Sequence, residues 1–141
     1  MASKAAVVDH LRQVSLFQTC TAKDLQRIAK VVDEVKLEAG RVLTDQGQTG
    51  TEAYVLLEGA ATVRRNGKKV TTLGPGAVIG ELSLLDRGPR TATVTTDSPC
   101  TVLVIRQQNF TGILDEVPAL AHKVLATLAG RIRDLDRQTY G

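Results

Sequence analysis

The chain has 141 residues, 43% of them hydrophobic and 23% charged, with a formal net charge of +3. That length supports one domain around one core, and the balance argues against wholesale disorder. Basic residues are interleaved with acids and aromatics make up only 3%, so the chain has neither the basic stripe nor the stacking platform of a nucleic-acid reader.

The N-terminus lacks the apolar core of a secretory signal, and the longest apolar runs, at 54–57 and 102–105, are strand-sized. The expected location is the cytoplasm. There Cys20 and Cys100 read as two buried, reduced thiols rather than a disulfide.

In chain order the pattern is helix, then many strands, then helix. Residues 7–32 carry helical periodicity, with Leu11, Val14 and Phe17 on one face and Leu25, Ile28, Ala29 and Val32 on another. Thr21 is placed to cap the second segment, with Asp24 three residues on. From Val35 apolar and charged residues alternate. Gly40 turns the chain, Val42-Leu43 resumes an extended pattern, and 46–50 is a loop. Residues 54–57 predict a buried strand. Residues 61–65 and 69–73 flank Asn66-Gly67, a strong hairpin signal. Two more strands are predicted at 91–96 and 101–105. Closely spaced strands with glycine turns suggest a jelly-roll type of sandwich or barrel. Pro118 then fits the first turn of a last helix, whose Leu120, Val124, Leu128, Ile132 and Leu135 make one apolar stripe.

The chemistry sits between strands, where a mere connection would be a short turn. The segment reads Val78-Ile79-Gly80-Glu81-Leu82-Ser83-Leu84-Leu85-Asp86-Arg87-Gly88-Pro89-Arg90-Thr91-Ala92-Thr93-Val94. Gly80 lets a ligand approach the backbone. The turn of helix after it offers free N–H groups suited to an anion. Arg90 supplies a fork that matches phosphate oxygens. Glu81 can accept a sugar hydroxyl, and Thr91 adds a donor. Together they suit a ribose-phosphate.

Gly-Glu-Leu-Ser-Leu-Leu followed by Pro-Arg-Thr-Ala-Thr-Val resembles the phosphate-binding cassette of the cyclic-nucleotide-binding domain family. The resemblance extends to Leu16-Phe17, Glu38-Ala39-Gly40, Tyr54-Val55-Leu56-Leu57-Glu58-Gly59 and Leu73-Gly74-Pro75-Gly76. It implies a mainly β chain, an eight-stranded jelly-roll-like β-roll with helices at both ends. One domain spans 1–141, with N-terminal helices at 1–34, the roll at 35–105 containing the cassette at 79–92, and C-terminal helices at 106–141. It also implies that Glu81 binds a ribose 2′-hydroxyl and Arg90 the cyclic phosphate. Backbone N–H groups near Leu82, Ser83 and Ala92 complete the site, and the last helix closes over the base. The implied ligand is cyclic AMP, with cyclic GMP as the competitor. No other cofactor is expected.

Other readings stay open beside this one. Glu81 and Arg90 can form a structural salt bridge, and Thr91 can be an ordinary strand residue. The last helix can be core, lid or the seam of a homodimer. Leu128, Arg131 and Ile132 are the candidate base contacts, with Arg131 more readily read as a solvated residue. His10 and His122 lie in the helical ends, so a metal held on barrel strands is not expected, and no Ser-His-Asp arrangement is suggested. The reading is therefore a non-enzymatic sensor whose output partner is an effector protein or fused domain, with no nucleic-acid contact of its own. The alternative is a degenerate fold that serves as an interaction module.

Overall fold

The computed structural model describes residues 3–140, and all their side chains except those of Leu82, Thr139 and Tyr140. Helix α1 (Lys4–Arg12) starts at Ser3, whose hydroxyl accepts the Ala6 N–H. A 3₁₀ turn covers Ser15–Phe17. Helix α2 (Ala22–Ala29) carries the expected cap in full: Thr21 Oγ1 accepts the Asp24 N–H and the Asp24 carboxylate accepts the Thr21 N–H, both at 3.1 Å. The helical face predicted to reach Val32 stops short of it. Val32 opens β1 (Val32–Leu37) and pairs with Ile105. A lone apolar residue fits either period, and the distant pairing decides.

The remaining strands are β2 (Val42–Thr44), β3 (Glu52–Glu58), β4 (Ala61–Arg65), β5 (Lys68–Leu73), β6 (Val78–Ile79), β7 (Thr93–Thr96) and β8 (Cys100–Arg106). They form two four-stranded antiparallel sheets, ordered β1-β8-β3-β6 and β2-β7-β4-β5. This is the jelly-roll-like β-roll, flanked by helices at both ends. β4 and β5 meet at Asn66-Gly67, both with positive φ (54° and 78°), as a two-residue type I′ hairpin needs. β7 starts two residues later than predicted, because the carbonyls of 91 and 92 accept from the Arg65 and Thr44 side chains rather than from a neighbouring strand's backbone.

Alternation sorts the first sheet into two faces. Ala53, Val55, Leu103 and Ile105 pack on the helices with Phe17, Leu25 and Phe110. Leu56, Val102 and Val104 turn inward against Leu43, Ala61 and Val94 of the second sheet. Both Phe rings serve the helical interface, so the interior of the roll is lined mainly by aliphatic residues, with Tyr54 packed against them.

Helix α4 (Gln107–Glu116) follows β8 directly, and Pro118 takes the first position of α5 (Pro118–Tyr140), where its missing N–H is harmless. A helix of that length runs roughly 35 Å and outreaches the roll. Leu120 and Val124 are accordingly buried, Leu128 half-buried, and Ile132 and Leu135 exposed. The predicted stripe is core only over its first half. Cys100 is buried as expected, but Cys20 is partly exposed, sitting ahead of the Thr21 cap. No helix among the described residues is long and apolar enough to cross a membrane, and no cluster among them could hold a metal ion.

Candidate functional site

The chain leaves β6 at Gly80 with φ 83° and enters the short helix α3 (Glu81–Asp86). A Cβ at Gly80 would lie 2.5 Å from Arg90 Nη1 and 3.3 Å from Thr44 Cγ2. Glycine is therefore required twice over, by the left-handed backbone and by the close approach. As in any helix, the first N–H groups of α3, from Glu81 to Ser83, have no carbonyl one turn behind them.

The return of the chain is pinned by the β2–β3 loop. The Arg90 N–H donates to the Gln48 carbonyl (2.8 Å), and the Arg90 carbonyl accepts the Gly47 N–H (2.9 Å). Thr44 Oγ1 donates to the Ala92 carbonyl (3.0 Å), and Thr93 Oγ1 donates to Asp45 (3.0 Å). These bonds, two from the main chain and two from threonine hydroxyls, set the backbone from 90 to 93.

The Arg90 side chain is buried, with 7% of the residue exposed. Its guanidinium donates to two main-chain carbonyls, those of Gly80 (2.9 Å) and Glu52. It forms no ion pair with a carboxylate among the described residues. Burial lowers its pKa, while the Tyr54, Glu52 and Glu81 charges pull it back up. The structural salt bridge between Glu81 and Arg90 is not formed. Glu81 Oε1 instead accepts from Arg131 Nη2 of α5 at 2.7 Å. Glu81 is mostly sheltered, with 14% of its side chain exposed, and Arg131 is half-exposed.

Two small cavities meet at this pair. One, about 190 Å³, lies at the open β5/β6 side of the roll, and Gly80, Glu81, Ser83, Arg90, Thr91 and Ala92 all line it. The other, about 210 Å³, lies under α5 against Phe110, Val124 and Leu128. Val78, Glu81 and Arg131 line both, so the Glu81–Arg131 pair partitions them.

Of the residues singled out in the sequence, the six just named share one cavity. The Leu82 side chain lies outside the described residues. Leu128 and Arg131 face the cavities, whereas Ile132 is 60% exposed and lines neither. The sequence reading missed Gly50, Arg65 and the Glu52 carbonyl. A Cβ at Gly50 would overlap Arg90 Cζ, Nε and Nη2. Arg65 lines the first cavity and donates from Nε to the Thr91 carbonyl (3.1 Å). The one available signal was the second glycine of the 46–50 loop, which a plain connection does not need.

The sequence profile of the family described as "Cyclic nucleotide-binding domain" matches residues 34–117. A cGMP-dependent protein kinase of Drosophila melanogaster is 34% identical over 114 residues, 79% of this chain and 10% of the relative. A cAMP-dependent protein kinase regulatory subunit of Yarrowia lipolytica is 29% identical over 121 residues, 75% of this chain and 32% of the relative. The chain thus spans a third or less of those two proteins. The crystal structure of the Thermus thermophilus catabolite activator protein superposes with a TM-score of 0.81 at 26% identity, covering 88% of this chain and 61% of that one. With the profile matching more than half of its length, in a roll whose β5/β6 side gathers the cassette residues, the chain belongs to the cyclic nucleotide-binding domain family.

Proposed function

We propose that this chain is a non-catalytic, cytoplasmic sensor of a cyclic purine nucleotide, most readily cyclic AMP, with cyclic GMP as the competing ligand. One observation carries the reading. Arg90 is a buried cation satisfied only by carbonyl dipoles, at the wall of a cavity and without an anionic partner. Burying an unpaired charge is costly, and an entering phosphate relieves that cost. The phosphate docks at Arg90 and the first N–H groups of α3. The ribose 2′-hydroxyl reaches Glu81, and the base extends toward Leu128.

Glu81 is already occupied by Arg131, so ribose binding displaces α5's contact. A half-exposed ion pair is worth about 1 kcal/mol or less, whereas a hydrogen bond to a charged group contributes about 1.5–3 kcal/mol. The ribose therefore wins, and the lost contact frees α5 to move. Arg131→Ala is expected to tighten nucleotide binding by up to about fivefold and to speed amide exchange in α5 without ligand; unchanged affinity and exchange would sever the link. Glu81→Ala is expected to remove discrimination against the 2′-deoxy analogue. If parent and variant reject that analogue equally, the ribose role is wrong.

Isothermal titration with cyclic AMP and cyclic GMP in parallel tests the function itself. Saturable one-to-one binding of either supports the sensor. No heat and no rise in melting temperature with either leaves the ligand-independent interaction module. The exposed apolar residues of α5, Leu125 and Ile132, then become the surface for an effector or a second copy.

A further inference from the structure

A cavity larger than those described above lies elsewhere among the described residues. It measures about 680 Å³ and shares no lining residue with the cavity at the β5/β6 side. It opens on the other flank of the roll, between the edge strands β1 and β2, which end their respective sheets. Its volume is within the range of about 300–1,000 Å³ typical of small-molecule sites.

Its physical origin is in the composition. The inward faces of β3 and β8 present Tyr54, Val102 and Val104, and no phenylalanine fills the space between the sheets. Helices α1 and α2 border the cavity only through Lys4, Val7 and Ala29; Val35 and Leu37 remain half-buried, and Val42 is 57% exposed.

The charged residues around the opening are unequally matched. Asp33 is taken by Arg106 (2.8 Å), whereas Glu34 has only a histidine beside it, His10 Nδ1 of α1 at 3.1 Å. Lys4, Lys30 and Arg41 also line the cavity, and their side chains have no hydrogen bond or ion pair among the described residues. Of the lining carboxylates, Glu34 and Glu52 have no Lys or Arg partner. Three unpaired cations thus face two carboxylates around a chamber with apolar walls, which Tyr54 also lines.

We propose that the β1/β2 cavity is a second ligand site, distinct from the nucleotide site, which takes an amphipathic organic anion. Its apolar body lies against Val35, Leu37, Val102 and Val104, and its anionic head is held by Arg41 and the neighbouring lysines. The inference does not rest on cyclic-nucleotide binding. It uses the parts a small-molecule site needs: an apolar wall, and a few polar groups at its rim. An amine would meet like charge there, and a neutral alcohol would leave the cations without a partner.

Sodium octanoate is the probe, with octanol and octylamine as controls, followed by methyl chemical shifts on the full chain. Octanoate is expected to saturate one site, shifting Val35, Val102 and Val104, and to bind about tenfold or more tighter than octanol. Arg41→Gln is expected to reduce octanoate affinity to that of octanol, and Val42→Trp to occlude the mouth, both with the parent's melting temperature. Equal binding of all three probes, or shifts confined to α5, would overturn the proposal. So would no shift at millimolar octanoate. Should Val42→Trp fail to fold, the Arg41→Gln comparison decides alone.

Discussion

Replacing Arg90 with alanine is expected to abolish measurable cyclic-nucleotide binding and to lower the melting temperature at the same time. The binding arithmetic is direct. A guanidinium fork on a phosphate makes two charge-assisted bonds, each worth about 1.5–3 kcal/mol, so their loss costs roughly 10²- to 10⁴-fold in affinity. The stability cost follows from the same side chain's work without ligand, since Arg90 supplies donors to the Gly80 and Glu52 carbonyls. Those acceptors border a cavity that water can enter, so the penalty falls near the low end for unsatisfied groups, about 1–2 kcal/mol. Arg90→Lys keeps the charge but not the fork, and is expected to fall between parent and alanine in affinity. Titration calorimetry and thermal melts on the three proteins check both effects. An alanine variant that binds cyclic AMP with parental affinity would remove the phosphate assignment.

Gly50→Ala is expected to nearly match that loss of binding, although Gly50 contributes no group to the ligand. Its Cβ would occupy the space of the Arg90 guanidinium, overlapping three of its atoms. Overpacking of this kind costs about 1–3 kcal/mol, and the guanidinium can escape only by leaving its position beside Gly80. A double-mutant cycle separates this from general damage. In an Arg90→Ala background the added methyl meets an empty space, so Gly50→Ala should then cost far less stability. Equal destabilisation in both backgrounds would show that Gly50 acts on the loop backbone and not through Arg90.

What the sequence made legible was contiguous. Gly80, Glu81, Arg90, Thr91 and Ala92 fall within thirteen residues, punctuated by glycine and proline, and they line one cavity. The Thr21–Asp24 cap and the Asn66-Gly67 hairpin are likewise decided over four residues or fewer. Features set by distant segments escaped. Val32 continues a helical spacing and is claimed by β8 instead. Gly50 and Glu52 meet Arg90 only when the β2–β3 loop folds back over it. β6 has two residues, too few to show a period. Ile132 carries the right spacing for a lid, yet spacing does not reveal where a helix runs out of protein beneath it.

Beyond Val124 only Leu128 is partly buried, and residues 129–138 are all exposed. A helical tail of ten exposed residues is shorter than the roughly 12–15 that an isolated helix needs to be stable in water. The Arg131–Glu81 bridge anchors it about one turn into that stretch. Continuing an already wound helix spares the tail the cost of nucleation, yet with little packed beneath it each added turn gains little, so on the proposed release of the bridge small free energies would change its helical length. If ligand binding releases the bridge as proposed, a neighbour would read how many turns of α5 remain wound, rather than the angle at which a rigid rod swings.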